Sequence, residues 1–298
     1  SALVEPVTQT AGMSKLHKAI FAVLLIALII LPFLVYPIFA MKVMCFALFA
    51  AAFNLLLGFG GLLSFGHAAY FGGASYVAAH AAKVWGFTPE LAVLTGTAAA
   101  ALLGFAIGSL AIRRQGIYFA MVTLAFAQMV YFVALQAEFT GGEDGIQGVP
   151  RGDLFGVISL ADNIALYFFV LAVTFGGILL LYRIVHSPFG QVLKAIRENE
   201  PRAISLGYDV NRYKLIVFTL SATLAGLAGA TKSLVFQLAS LTDVHWSMSG
   251  EVVLMTLLGG MGTIFGPLVG AGVIVTMQNY LATFGARSFR VSSSLSVC

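Results

Sequence analysis

Charge is what this sequence has least of. Of its 298 residues, 16 are Lys or Arg and 12 are Asp or Glu, so charged side chains make up 9%. A water-soluble domain carries about 25%, and this chain has too few to cover a surface that faces water. Cysteine is scarce as well: Cys45 lies in an apolar run and Cys298 is the last residue. That pair builds neither a disulfide framework nor a metal site, and no metal or cofactor is expected. The formal net charge is only +4, and the basic residues sit beside apolar runs rather than forming a patch, so no nucleic acid is expected as a partner. A Gly-x-x-x-x-Gly-Lys-Ser/Thr phosphate loop is missing, so the chain has no ATP site of that kind.

What is there is apolar: 60% of the residues. The runs are long and continuous rather than alternating at period two, which excludes a β-barrel and suits helices of about 20 residues across a hydrocarbon core of about 30 Å. They cover roughly 19–38, 39–57, 62–82, 90–112, 117–136, 164–185 and 215–235, then a short piece at 252–258 and a last one at 267–284. The fold expected is an all-α polytopic membrane protein of about eight or nine segments, with 252–258 as half of a broken or re-entrant helix.

Lys and Arg set the orientation. Residues 183–214 hold six of them: Arg183, Lys194, Arg197, Arg202, Arg212 and Lys214. The loop 137–163 holds only Arg151, against Glu138, Glu143, Asp144, Asp153 and Asp162. The first segment therefore reads as cytoplasmic and the second as external. Counting back places Arg113 and Arg114 inside, Lys83 outside, and Lys15 and Lys18 inside. Residues 1–18 read as a cytoplasmic N-terminal segment. Its polar part, 1–14, is either a tag or sequence ahead of a start at Met13. A signal peptide is not expected, because the first apolar run continues to Ile38 and no A-x-A site follows.

The stretch "GFGGLLSFGHAAYFGG" (58–73) has six glycines in sixteen residues, although glycine weakens a helix by about 1 kcal/mol relative to alanine. Two readings are open. Ser64, Ala68 and Gly72, and Gly61, Ala69 and Gly73, form small-residue rows that let helices pack closely. Alternatively, the helix breaks inside the membrane and its freed backbone lines a substrate path. "GGMGTIFGP" (259–267) resembles "GGLLSFGH" (60–67), which hints at an internal repeat. Gly60, Gly61, Ser64, His67, Gly259, Gly260 and Gly262 are the candidate path residues. His67 at membrane depth is either functional or a neutral ring making one hydrogen bond between helices. Asn54 and Gln128 read as polar glue, and Tyr118 and Tyr131 as interfacial anchors.

The most informative stretch is "SPFGQVLKAIRENEPRAISLGYDVNRYK" (187–214). Pro188 opens an amphipathic helix. Pro201 opens a second one, closed by Gly207. The segment could lie on anionic lipid or dock a partner, and the acidic turn at Glu198 and Glu200 disfavours lipid alone.

This stretch, continuing as "LIVFTLSATLAGLAGA", resembles the cytoplasmic loop and following helix of LivM-type permeases. These are membrane subunits of ABC importers for branched-chain amino acids. "GLLSFGHAAYFGGASYVAA", "GIYFAMVTLAFAQMVYF", "FTGGEDGIQGVP" and "GGMGTIFGPLVGAGVI" resemble the same family in the same order, over about residues 20–284. The resemblance implies a periplasmic substrate-binding protein that delivers substrate, a LivH-type permease subunit as partner, and two separate ATP-binding subunits. The chain itself is then no enzyme. The expected division is a permease domain over 19–284, with a coupling loop at 186–214 and an external loop at 137–163. The coupling residues implied are Arg197, Glu198, Asn199, Glu200, Ala203 and Gly207. Thr140, Gly141, Gly142, Asp144 and Gly145 would face the binding protein or the cavity entrance.

Substrate choice is left among branched-chain amino acids, urea, short amides and aromatic acids, with "GGEDG" closer to amino-acid permeases. The tail 285–298, "GARSFRVSSSLSVC", departs from the family's pattern of one more apolar segment and an Arg-rich end. The serine run, read one base earlier, would encode apolar residues, so a frameshift near 285–287 is expected. A secondary transporter and a channel are the rivals. The apolar runs offer almost no acidic residue for ion coupling, since Glu90 and Glu251 lie at segment ends.

Overall fold

The computed structural model describes the backbone of residues 15–295 and the side chains of 17 and 19–282. Residues 1–14 and 296–298 lie outside the described part. The side chains of the expected tail, 285–298, do so as well.

Helices α1 (Lys15–Leu34) and α2 (Pro37–Asn54) divide the first two apolar runs at residues 35–36, where Pro37 starts the new helix. A proline has no N–H to contribute, and the first turn needs none. A π-turn, Leu55–Phe59, extends α2. The chain then runs without regular structure to α3 (His67–Lys83). The run expected over 62–82 is therefore a broken helix. Next come α4 (Pro89–Ala111) and α5 (Ile117–Gln136). The loop after α5 holds two single 3-10 turns and short strands β1 (Ile146–Gln147), β2 (Asp153–Leu154) and β3 (Ile158–Ser159). Helix α6 (Asn163–His186) leads to α7 (Pro188–Glu198), α8 (Glu200–Ser205) and α9 (Val210–Phe236). Strand β4 (Leu238–Ala239) pairs antiparallel with β1. Then follow α10 (Leu241–Val244), α11 (Trp246–Gly259) and α12 (Gly266–Leu295). The short apolar piece at 252–258 belongs to α11.

Among the described residues, five helices are long and apolar enough to cross a membrane: α2 with its π-turn, α4, α5, α6 and α9. Their burial sorts them by place. Some 83% of the α2 span is buried but only 28% of α5, so α2 is central and α5 peripheral. Outward residues such as Leu94, Leu102 and Phe105 of α4, and Met121, Met129 and Phe132 of α5, are exposed. An apolar outside around an apolar inside is the pattern of a bundle whose solvent is lipid.

In lipid, helices gain little from hiding apolar surface, so contact depends on close approach. Helices α3, α4 and α9 achieve it with small residues. Gly96, Gly104 and Gly108 of α4 lie on one face, against Ala230, Ala222 and Phe218 of α9. A methyl on Gly104 would overlap that of Ala222. A methyl on Gly229 would overlap the carbonyl oxygen of Phe71 in α3. On α3, Gly72 meets the backbone of residues 243–244, whereas Gly73 has only Leu103 near it, 3.9 Å from where its methyl would be. Of the two small-residue rows expected on α3, the one through Gly72 thus makes the closer contact.

Candidate functional site

Four helix termini are capped around the charged segment. The Ser187 hydroxyl accepts from the Gly190 amide at 3.3 Å and starts α7. Asn199 Oδ1 accepts from the Arg202 amide at 3.0 Å and starts α8. Asp209 Oδ1 accepts from the Arg212 amide at 3.2 Å and starts α9. Gly207, at φ +88°, ends α8 in a conformation that favours glycine. Ile196, Ala203 and Val210 form a small buried core of their own, with Val192 and Tyr213 against it. Ala203 thus points inward. Glu200 accepts from Lys214 Nζ at 2.8 Å and from Gln115 Nε2 at 3.3 Å, which ties α8 to the start of α9. Glu198 is exposed.

Arg197 links this segment to both glycine-rich turns. Its guanidinium donates to the carbonyl of Gly58. Its stem lies against Gly61, where a methyl would come within 2.7 Å of Cγ. A methyl on Gly262 would lie 3.6 Å from the same guanidinium. Asn54 joins the two turns from inside: Nδ2 donates to the Thr263 carbonyl at 2.7 Å, and Oδ1 accepts from the Gly262 amide at 2.9 Å. Gly61, Gly260 and Gly262 all have positive φ. The two similar stretches are therefore one structural unit. Each is the turn of a helical hairpin, α2/α3 or α11/α12, and both turns lie at the end that carries α7.

The α2/α3 turn climbs back into the bundle. The Phe65 amide donates to Thr123 Oγ1 at 3.2 Å, and Thr123 is six residues into α5, about 9 Å along it. The Gly66 amide donates to Ser64 Oγ at 3.1 Å and the Ala68 amide to Ser249 Oγ at 3.0 Å. Side chains from α5 and α11 thus satisfy the amides freed by the break, as a membrane interior requires. Ser64 and His67 are fully buried. The Ser221 hydroxyl donates to the Ala52 carbonyl at 2.6 Å, so His67 Nε2 is the donor to Ser221 Oγ at 2.8 Å. The ring sits edge-on among Phe53, Tyr70 and Phe218. The ring thus has one hydrogen bond between helices, and its buried Nδ1 has no partner among the described residues.

At the other end, Thr140 donates to the carbonyls of Ala134 and Ala137 at 2.5 and 2.7 Å and closes α5. Gly141, Gly142 and Gly145 all have positive φ. A methyl on Gly145 would overlap the Ala239 carbonyl, so "GGEDG" is a turn fitted against β4. Asp144 is exposed beside it.

Sequence reasoning missed one feature. Lys232 of α9 and Asp243 of α10 form an ion pair, and Asp243 is 1% exposed. Lys232 also lies over the rings of Phe71 and Phe236. A lone lysine inside an apolar run was the available signal. Among the described residues, no group of three or more His, Cys, Asp or Glu could hold a metal ion.

The family model for the permease component of branched-chain amino acid transport systems matches residues 36–296. The high-affinity branched-chain amino acid transport system permease protein LivM of Salmonella typhimurium is 30% identical over 72% of this chain and 54% of its own length. The protein of that name from Escherichia coli K12 is 29% identical over 66% and 52%. The ribose import permease protein RbsC of Bacillus subtilis is 32% identical over 55% and 52%. The chain spans about half the length of these curated relatives. No solved structure matches it. A helical bundle with an apolar exterior, matched by that model over most of its length, this chain belongs to the family of branched-chain amino acid transport system permease components.

Proposed function

We propose that the chain is the membrane-spanning permease subunit of an ABC importer that moves branched-chain amino acids. It would lie in the inner membrane of a bacterial cell with its N-terminus in the cytoplasm. A LivH-type permease, two ATP-binding subunits and a periplasmic binding protein would complete the transporter. ATP hydrolysis belongs to the partner subunits.

One observation carries the reading. Arg197 on α7 bonds to the α2/α3 turn and lies beside the α11/α12 turn. A displacement of α7 by a closing ATPase pair therefore reaches two hairpins at once. Exposed Glu198, Ile204, Leu206 and Tyr208 supply the contact surface, acidic and apolar side by side. The likeness to the LivM proteins supports the amino-acid substrate. The likeness to a ribose permease favours a second reading, the same machinery with a sugar as cargo.

The test is uptake of labelled leucine and of labelled ribose by cells carrying the whole transporter, with Glu198→Ala or Arg197→Ala in this subunit. The ATPase subunits are pulled down in parallel. Leucine uptake that falls with ATPase capture in Glu198→Ala is the expected result. Full uptake and capture in both variants would remove α7 from the coupling role.

A further inference from the structure

We infer that the Lys232–Asp243 ion pair is the head-group site for a zwitterionic α-amino acid. This rests on the amino-acid reading above and names the residues that would recognise the cargo.

The first argument is depth. Lys83, at one end of α3, donates to the Gln147 carbonyl in the loop at that end of the bundle, at 2.7 Å. Gly72, which packs against the backbone of residues 243–244, is eleven residues further along α3. At the helical rise this is about 16 Å, half of a hydrocarbon core of about 30 Å. The backbone of Asp243 therefore lies well below the loop along α3, and Lys232, four residues before the end of α9, reaches it from nearer that loop. Chain from β4 through α10 dips from the loop end to reach it.

The second argument is that stability does not account for it. A buried ion pair is often no better than apolar residues of the same volume, because desolvation offsets the attraction. Ionisable groups at membrane depth mark substrate paths instead. This pair is also not sealed. Ser240 donates to the free carboxylate oxygen of Asp243 at 3.3 Å and exchanges a hydrogen bond with Thr242 at 2.7 Å. Thr242 is exposed. A hydroxyl path thus leads from the surface to the carboxylate. The Tyr76 hydroxyl, buried on α3, has no hydrogen-bond partner among the described residues and lies within electrostatic reach of Asp243.

The chemistry matches one ligand class. An amino-acid carboxylate can take the Lys232 ammonium while the amino-acid ammonium takes Asp243. One ion pair becomes two, no charge is left alone, and the unpartnered Tyr76 hydroxyl gains an acceptor. A sugar offers neither charge. It would have to leave the pair closed.

The experiment uses the transporter assembled with its partners. In a Cys298→Ser background, Thr242→Cys is labelled with a maleimide, with and without L-leucine. Protection by leucine is expected, and none by ribose. Labelling that leucine leaves unchanged would overturn the inference. Uptake is then measured for the neutral pair Lys232→Met/Asp243→Leu and the exchanged pair Lys232→Asp/Asp243→Lys. Both should assemble with the ATPase subunits and lose about tenfold or more of leucine uptake, the factor a charged hydrogen bond supplies. Full uptake in either double variant would make the pair a structural bolt and overturn the inference alone. Wild type that takes up no amino acid would overturn the proposed function with it.

Discussion

Asn54 Oδ1 accepts a hydrogen bond from the Gly262 amide at 2.9 Å, across 208 residues of sequence. With the Nδ2 bond to the Thr263 carbonyl at 2.7 Å, one buried amide side chain holds two hairpin turns in register. Asn54→Ala leaves a backbone donor and an acceptor without partners, each worth about 1–3 kcal/mol. Asn54→Asp keeps the acceptor but buries a carboxylate against the Thr263 carbonyl, so at neutral pH it should lose at least as much as Asn54→Ala. Thermal unfolding of the detergent-solubilised protein checks the order.

Gly229 separates α9 from the Phe71 carbonyl, and a methyl there has no room. Gly229→Ala should push the helices apart and cost about 2 kcal/mol or more, within the range for overpacking. Gly176, in α6, has nothing within 4 Å of where a methyl would go. Gly176→Ala should gain up to about 1 kcal/mol from helix propensity. Comparing folded yield and melting temperature of the two variants tests the packing argument.

Glu198 and Glu200 are two residues apart yet differ in their ties. Glu200 is bound to Lys214 and Gln115, and Glu198 is exposed. Glu200→Ala should loosen α8 at a cost of about 2 kcal/mol. The exchange Glu200→Lys/Lys214→Glu should recover part of it. Glu198→Ala should leave stability within about 0.5 kcal/mol and lower ATPase capture, and leucine uptake with it. Protease sensitivity of α7–α8 separates the two effects.

His67 has one hydrogen bond, to Ser221, inside an aromatic cage. His67→Phe retains ring packing, and Ser221 still donates to Ala52. The expected loss of stability is about 1 kcal/mol, with leucine uptake by the folded protein close to wild type. A tenfold fall in uptake at unchanged stability would place His67 on the substrate path.

The membrane helices were legible because apolar runs bounded by charge or proline carry their own ends. Run 117–136 coincides with α5, and 90–112 and 164–185 fall within one residue of α4 and α6. Glycine-rich stretches were legible as special, but not as partners. Their juxtaposition depends on Asn54 and Arg197, whose bonds cross 208 and 139 residues. Ala203 read as a contact and is core, because a six-residue helix is too short to show which face is covered. Lys232 and Asp243 escaped notice because their pairing needs the chain to dip between β4 and α11. No periodicity announces such a dip.

The small-residue faces of α3, α4 and α9 carry a mechanical consequence. Where a methyl already overlaps a neighbour, sliding by one helical turn would drive larger side chains into backbone. These three helices must therefore move as a single stator. On the proposed function, gating falls to the pieces hung on that stator: the α2/α3 turn and the α11/α12 hairpin, tied by side-chain bonds at one end, and the backbone-paired β1–β4 clasp at the other. A crosslink that freezes α4 to α9 should leave the transport cycle running. One that freezes α11 to α5 should stop it.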